Sequence, residues 1–159
     1  MSQEIERKFL VKGSFPVEGV ASEYIAQGYI ASTEKGTFRV RIKGEKGFIT
    51  LKGHAKGISR TEYEYEIPKE EAIQLLREFS LTPIVEKTRY YIPQGKHLWE
   101  VDSFLGANKG LIVAEIELQS EDEPFDKPIW IGEEVSQNPR YRNSMLAQCP
   151  FSTWEKDNY

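Results

Sequence analysis

The chain has 159 residues and a net charge of −4, with 39% hydrophobic and 29% charged residues, a mean hydropathy of −0.54 and a pI near 5.4. That is the profile of a globular protein forming one domain over residues 1–159, and its acidic balance argues against a general nucleic-acid binder. The longest aliphatic run, Leu111-Ile112-Val113-Ala114, is far short of the roughly 20 residues that cross a bilayer, Met1-Ser2-Gln3-Glu4 shows no signal-peptide pattern, and the lone Cys149 excludes an internal disulfide framework. A cytoplasmic protein without membrane or nucleic-acid partners is expected. Period-two alternation, the mark of strands, runs through most of the chain. Residues 4–11 put Glu4, Glu6 and Lys8 on one face, with Ile5, Phe9 and Val11 opposite. Residues 24–31 pair Gln27 with Tyr29 on a shared face, 38–43 set their bases against their aliphatics, and 48–52 add Thr50 and Lys52. Residues 61–67 align Glu62, Glu64 and Glu66 against Tyr63, Tyr65 and Ile67. A helix over 68–79 follows, with Pro68 in its first turn, Glu70 and Glu71 at its positive end, and Ala72, Leu75, Leu76 and Phe79 inward. Strands then resume at 84–92 with Lys87 and Arg89, at 98–104 with Glu100 and Asp102, and at 112–118 with Glu115 and Glu117. Gly44 to Gly47 and Pro93 to Lys96 suit tight hairpins, while 53–58 reads as a longer, mobile one. The Pro-rich stretch 121–137 reads as irregular, anchored by Trp130 and Ile131. Asn138-Pro139 opens a second helix to Gln148, with Tyr141, Met145 and Leu146 inward, and the polar tail 152–159 frays.

Several chemistries are missing. His54 and His97 are the only histidines, and no His-Glu-x-x-His, P-loop or dinucleotide fingerprint occurs. What stands out is the near purity of sign on the strand faces. Acids fill one set (Glu4, Glu6, Glu62, Glu64, Glu66, Glu100, Asp102, Glu115, Glu117) and bases another (Lys8, Arg39, Arg41, Lys43, Lys52, Lys87, Arg89). Two arrangements account for this. The faces can meet water on the open side of an antiparallel sheet, or they can line the lumen of a closed barrel whose apolar outer faces lie under helices and loops. In the second case the acids slightly outnumber the bases, and two divalent cations would turn the lining net positive and receptive to a polyanion. Carboxylates two residues apart on a strand are hard oxygen ligands suited to Mg²⁺ or Mn²⁺. Arginine and lysine grip phosphate oxygens. Together these are the parts of a phosphoryl-transfer site.

Glu4-Ile5-Glu6-Arg7-Lys8 resembles the Glu-x-Glu-x-Lys signature of the CYTH superfamily, the triphosphate tunnel metalloenzymes. The resemblance continues through Gln27-Gly28-Tyr29, Arg39-x-Arg41, Thr50-Leu51-Lys52, Ser59 to Glu64, Glu86 to Tyr90, Glu100-Val101-Asp102, Glu115-Ile116-Glu117 and Pro139-Arg140-Tyr141-Arg142-Asn143. It implies an α+β, mainly antiparallel fold: a closed eight-stranded, tunnel-like barrel with a charged lumen and a few outer helices. By this resemblance Glu4, Glu6 and Glu117 hold a metal that touches the triphosphate. Glu115 helps hold it or a second ion, and Asp102 joins the metal set. One or two Mg²⁺ or Mn²⁺ ions are implied. Lys8, Arg39, Arg41, Lys52, Lys87 and Arg89 match the phosphate-binding positions, with Lys8 and Lys87 also counted as catalytic. Glu62 and Glu64 match catalytic positions whose division of labour the sequence does not give. Tyr29 is either a wall residue or, if its phenol lies beside Lys8, a base on the attacking water. Glu66 and Glu100 are expected to be solvated or to support other groups, and Arg60, Arg140 and Arg142 either to sit at a tunnel mouth or to face solvent.

The activity so implied is metal-dependent hydrolysis of inorganic tripolyphosphate. The alternatives are a class IV adenylyl cyclase, a thiamine or nucleoside triphosphatase, and a non-catalytic polyphosphate-binding module. The Tyr- and Ile-rich outer strand faces are compatible with a homodimer.

Overall fold

The structure is a computed structural model and describes residues 3–157. It contains β1 (Gln3–Val11), β2 (Ala21–Thr33), β3 (Gly36–Lys43), β4 (Lys46–Gly53), β5 (Ser59–Ile67), α1 (Lys69–Phe79), β6 (Val85–Gln94), β7 (His97–Phe104), β8 (Ile112–Glu117), β9 (Ile131–Glu134) and α2 (Asn143–Gln148). The first eight strands close into an antiparallel barrel in the order β1-β5-β4-β3-β2-β6-β7-β8 and back to β1. Alternation now has a physical meaning: one face of every strand looks into the barrel and the other outward.

Strand β1 closes the circle by changing partners. Gln3, Glu4 and Ile5 pair with Thr61, Arg60 and Ser59 of β5, while Glu6 to Leu10 pair with Glu117 to Val113 of β8. At its far end Phe9 and Val11 meet Glu134 and Ile131 of β9, a ninth strand outside the barrel circuit.

Three apolar clusters cover the charged lumen. Helix α1 lies over β3 and β4, with Ala72 and Leu76 packed on Val40. Its approach requires bare backbone: a Cβ on Gly28 would stand 2.9 Å from Leu76 Cδ2, and one on Gly47 2.7 Å from Ala72 Cβ. Behind β1, β7 and β8, Phe9 and Trp99 meet edge to face at 5.8 Å, with Phe125 and Trp130 completing the aromatic group. Burying Phe9 alone is worth about 1.5–3 kcal/mol. Around α2, Leu146, Ala147 and Trp154 pack on Val85, Phe104, Leu111 and Val113. By contrast Leu51, Tyr63 and Tyr65 on the outer face of β4 and β5 stay exposed. None of the described helices is long and apolar enough to cross a membrane.

The structure departs from the expected elements in four places. Residues 121–137 are not wholly irregular, because β9 forms on the edge of β1. The second helix is broken: residues 139–141 make a 3₁₀ turn capped by Asn138, whose side chain accepts from Arg140 N. Arg142 is then extended (φ −70°, ψ 139°) before α2 starts. Residues 151–157 form a 3₁₀ helix instead of fraying, since Trp154 is buried against Tyr141 and Phe151; residues 158 and 159 lie outside the described chain. Finally, Phe79 does not face inward but is 51% exposed at the end of α1, and Pro68 sits at the N-cap.

Candidate active site

The inward faces enclose a cavity of about 440 Å³ lined by side chains from all eight barrel strands and by α2. Its charges are arranged by register. On β6 and β7, Lys87 stands next to Phe104 and Arg89 next to Asp102. Asp102 is 1% exposed; it accepts from Lys87 Nζ at 2.8 Å and from Arg89 Nε and Nη2 at 2.7 and 2.9 Å. Arg89 also reaches Glu115 at 3.1 Å and Glu100 at 3.3 Å. Burial opposes the Asp102 charge, but Arg89 and Lys87 outweigh it and hold the carboxyl below its ordinary range. Burial dominates at Lys87: even with Asp102 favouring the charge, its ammonium is pushed down to about 8.

Two further arginines come from β3. Arg39 Nη2 donates to Thr50 Oγ1 at 3.3 Å, and Arg41 Nη2 to Glu64 at 3.2 Å. The Nε atoms of both guanidiniums are buried with no hydrogen-bond partner among the described residues. Burial, together with the Arg39 and Arg89 charges, pushes Arg41 down to about 10. Glu64 is the carboxylate near both guanidiniums, 3.9 Å from Arg39 and 3.2 Å from Arg41, so two cations share one anion. Lys52, between Glu4 at 3.0 Å and Glu62 at 3.5 Å, is better matched. Lys8 lies 3.6 Å from Glu115 and donates to the Tyr141 carbonyl at 3.1 Å.

Opposite in character is the acidic group. The β1–β8 register sets Glu6 beside Glu117 and Lys8 beside Glu115, and the β7–β8 register sets Glu100 beside Glu115. Carboxylate oxygens of Glu6, Glu100 and Glu115 lie within 4.8 Å of one another. Burial and the charges of Glu115 and Glu4 raise Glu6 well above the usual carboxylate range. Burial also opposes charge on Glu115, but Lys8, a hydrogen bond from Glu6 and Arg89 hold that carboxyl well below it. Burial and the Glu4, Glu62 and Glu100 charges push Glu117 up as well. Three close carboxylates, of which Glu6 has no ion-pair partner among the described residues, fit a hard divalent cation.

Every phosphate-binding residue expected from the sequence lines this one cavity, as do Glu4, Glu6, Glu115, Glu117, Glu62, Glu64 and Tyr29. Asp102 does not: it stands behind Lys87 and Arg89 with both oxygens taken. Tyr29 accepts from Gln27 Nε2 at 3.1 Å, and among the described residues no hydrogen bond joins it to Lys8. Arg60 and Arg142 line the cavity, whereas Arg140 stacks on Trp154, 3.8 Å from its ring centre. Glu66 is exposed and lies near Lys46. Sequence reasoning missed the closeness of Glu100 to Glu6 and Glu115, and the Tyr141 carbonyl and Asn143 side chain that reach Lys8 and Lys87. The latter two residues carry a signal in the Pro139 to Asn143 motif, though not their role.

Comparison with known proteins agrees with this geometry. Residues 2–149 match the CYTH domain family. An inorganic triphosphatase of Acetivibrio thermocellus is 45% identical over 156 residues, covering 98% of this chain and 100% of its own length. An inorganic triphosphatase of Nitrosomonas europaea is 40% identical over 149 residues, covering 91% of this chain and 96% of its own. The crystal structure of the inorganic triphosphatase NE1496 superimposes with a TM-score of 0.66 at 37% identity, over 92% of this chain and 95% of that one.

Proposed function

The chain belongs to the CYTH domain family, and we propose that it is a divalent-metal-dependent hydrolase that splits inorganic tripolyphosphate into pyrophosphate and phosphate. The observation that carries this reading is the meeting, around one cavity, of the six expected phosphate-binding side chains and a cluster of close carboxylates. The named activity of two relatives aligned over nearly their whole lengths supports the choice of substrate.

In this reading Arg39 and Arg41 bind phosphate oxygens through their free edges, with Lys8, Lys52, Lys87 and Arg89 completing the cradle. Glu6, Glu100 and Glu115 hold Mg²⁺ or Mn²⁺, with Glu4 and Glu117 flanking; when bound, the ion screens charge on the phosphoryl oxygens. Asp102 anchors Lys87 and Arg89 instead of joining the metal ligands, because its oxygens are already occupied. Glu64 holds Arg41 and Thr50 in place. Glu62, raised by burial and by Glu4, is the acceptor that orients water. Tyr29 donates its O–H into the cavity, since its oxygen already accepts from Gln27, and it is not assigned as a base. A loose phosphoryl transition state needs position and electrostatic support more than a strong base, and the ordered bases supply both.

The test offers purified protein tripolyphosphate, ATP and thiamine triphosphate with and without Mg²⁺ or Mn²⁺, and measures phosphate, pyrophosphate and cyclic AMP. Equal phosphate and pyrophosphate from tripolyphosphate, abolished by chelator, is the expected result. Cyclic AMP as the principal product, or binding with no product, overturns the proposal.

A further inference from the structure

Lys87 is 1% exposed. Its ammonium has three donors and no acceptor. One donor goes to Asp102 Oδ2 at 2.8 Å and another to Asn143 Oδ1 at 3.0 Å. The orientation of that amide is fixed chemically. A lysine offers nothing for an NH₂ group to donate to, so the Asn143 oxygen faces Lys87 and the nitrogen faces away. Asn143 lines the cavity, and its NH₂ donates to no other described residue.

The local chain is built to present this side chain. The extended Arg142 breaks the helix just before Asn143, Leu146 and Ala147 anchor α2 in the apolar cluster, and the Tyr141 carbonyl takes a hydrogen bond from Lys8. An asparagine here can do what neither a carboxylate nor a hydrophobic residue can: accept from an ammonium on one side and donate to an anion on the other.

Resting on the reading that the cavity binds a triphosphate, the geometry points to Asn143 as a substrate-contacting residue, its carbonyl fixing Lys87 and its NH₂ donating to a phosphate oxygen. Two substitutions in the full chain separate this from a purely bracing role. Asn143→Ala loses both functions. Asn143→Asp keeps an acceptor toward Lys87, and an acid suits the first turn of a helix, but it replaces the donor by an anion facing phosphate.

The measurement is kcat and KM for tripolyphosphate, alongside calorimetric binding and the thermal midpoint of each variant. Asn143→Ala should raise KM about 5–10-fold, and Asn143→Asp about 50-fold or more, with midpoints near that of the parent. If Asn143→Asp keeps the parental KM while Asn143→Ala loses it, Asn143 only braces Lys87 and the inference fails. It fails too if neither variant moves KM in a parent that turns over tripolyphosphate. A parent inert toward tripolyphosphate overturns the proposed function, and this inference with it.

Discussion

The Lys87–Arg89–Asp102 wall and the Glu6–Glu100–Glu115 wall are opposites in completeness. The first is buried and neutralised from within: one carboxylate takes three charge-assisted hydrogen bonds from two bases. In the second, Arg89 reaches Glu100 and Glu115 and Lys8 reaches Glu115, but Glu6 is set among acids, and burial with the Glu115 and Glu4 charges raises it well above the usual carboxylate range. One wall is held ready by its own ion pairs, while the other leaves Glu6 without an ion-pair partner among the described residues. This difference separates a rigid anion cradle from a cation-demanding site.

Breaking the complete wall gives the largest expected effect. Asp102→Ala strips the buried Lys87 of its carboxylate partner and Arg89 of two of its hydrogen bonds, and should remove about 3–5 kcal/mol of stability in denaturant titration, with loss of turnover. The incomplete wall should respond with the opposite sign in stability. Glu6→Gln removes a buried, repelled acid and should raise metal-free stability by about 1 kcal/mol, while lowering Mg²⁺- or Mn²⁺-stimulated turnover about 100-fold or more. The parent should gain thermal stability on adding either ion, and Glu6→Gln should gain much less. Because Glu6 is raised in the folded state, the folded chain holds more protons than the unfolded one just above the ordinary carboxylate range. Metal-free stability should therefore fall as pH climbs from about 4.5 upward, a decline that Glu6→Gln flattens.

Lys87 gives a smaller and sharper test. Its folded value of about 8 lies below the ordinary 10.5, so between those limits the unfolded chain binds more protons and this group's contribution to stability rises with pH. Phosphate binding needs the ammonium and runs the other way: kcat/KM should decline above about pH 8. Lys87→Arg should move that decline to higher pH, since a guanidinium stays charged. Smallest of all, Glu66→Gln breaks only the exposed pair with Lys46, and should change stability by no more than about 0.5 kcal/mol and leave turnover unchanged.

Alternation made the strands legible but not their closure into a barrel, because a residue pattern of period two survives whether a sheet is open or closed. It could not say which way Glu4, Lys8 and Arg39 face; the family resemblance and then the register supplied that. Asp102 and Glu100 show the limit. They share a strand face, yet Asp102 lies behind the Lys87 and Arg89 side chains and Glu100 beside Glu6, a difference set by barrel geometry, not by spacing. Strand β9 was hidden because Ile131-Gly132-Glu133-Glu134 has too little alternation to be seen apart from the β1 edge it joins. The break at Arg142 was hidden because Asn138-Pro139 opens a 3₁₀ turn as readily as an α-helix. Trp154 turned a polar tail into a packed one by finding Tyr141 and Phe151.

The partner-switching of β1 has a consequence for biosynthesis. Glu4, Glu6 and Lys8 are translated well before β8, which holds most of the ladder that orders them, and the far end of β1 waits for β9. Contacts so distant in sequence form slowly and leave a bare edge meanwhile. The chemistry carried by β1 therefore cannot be assembled until β8 and β9 have been made.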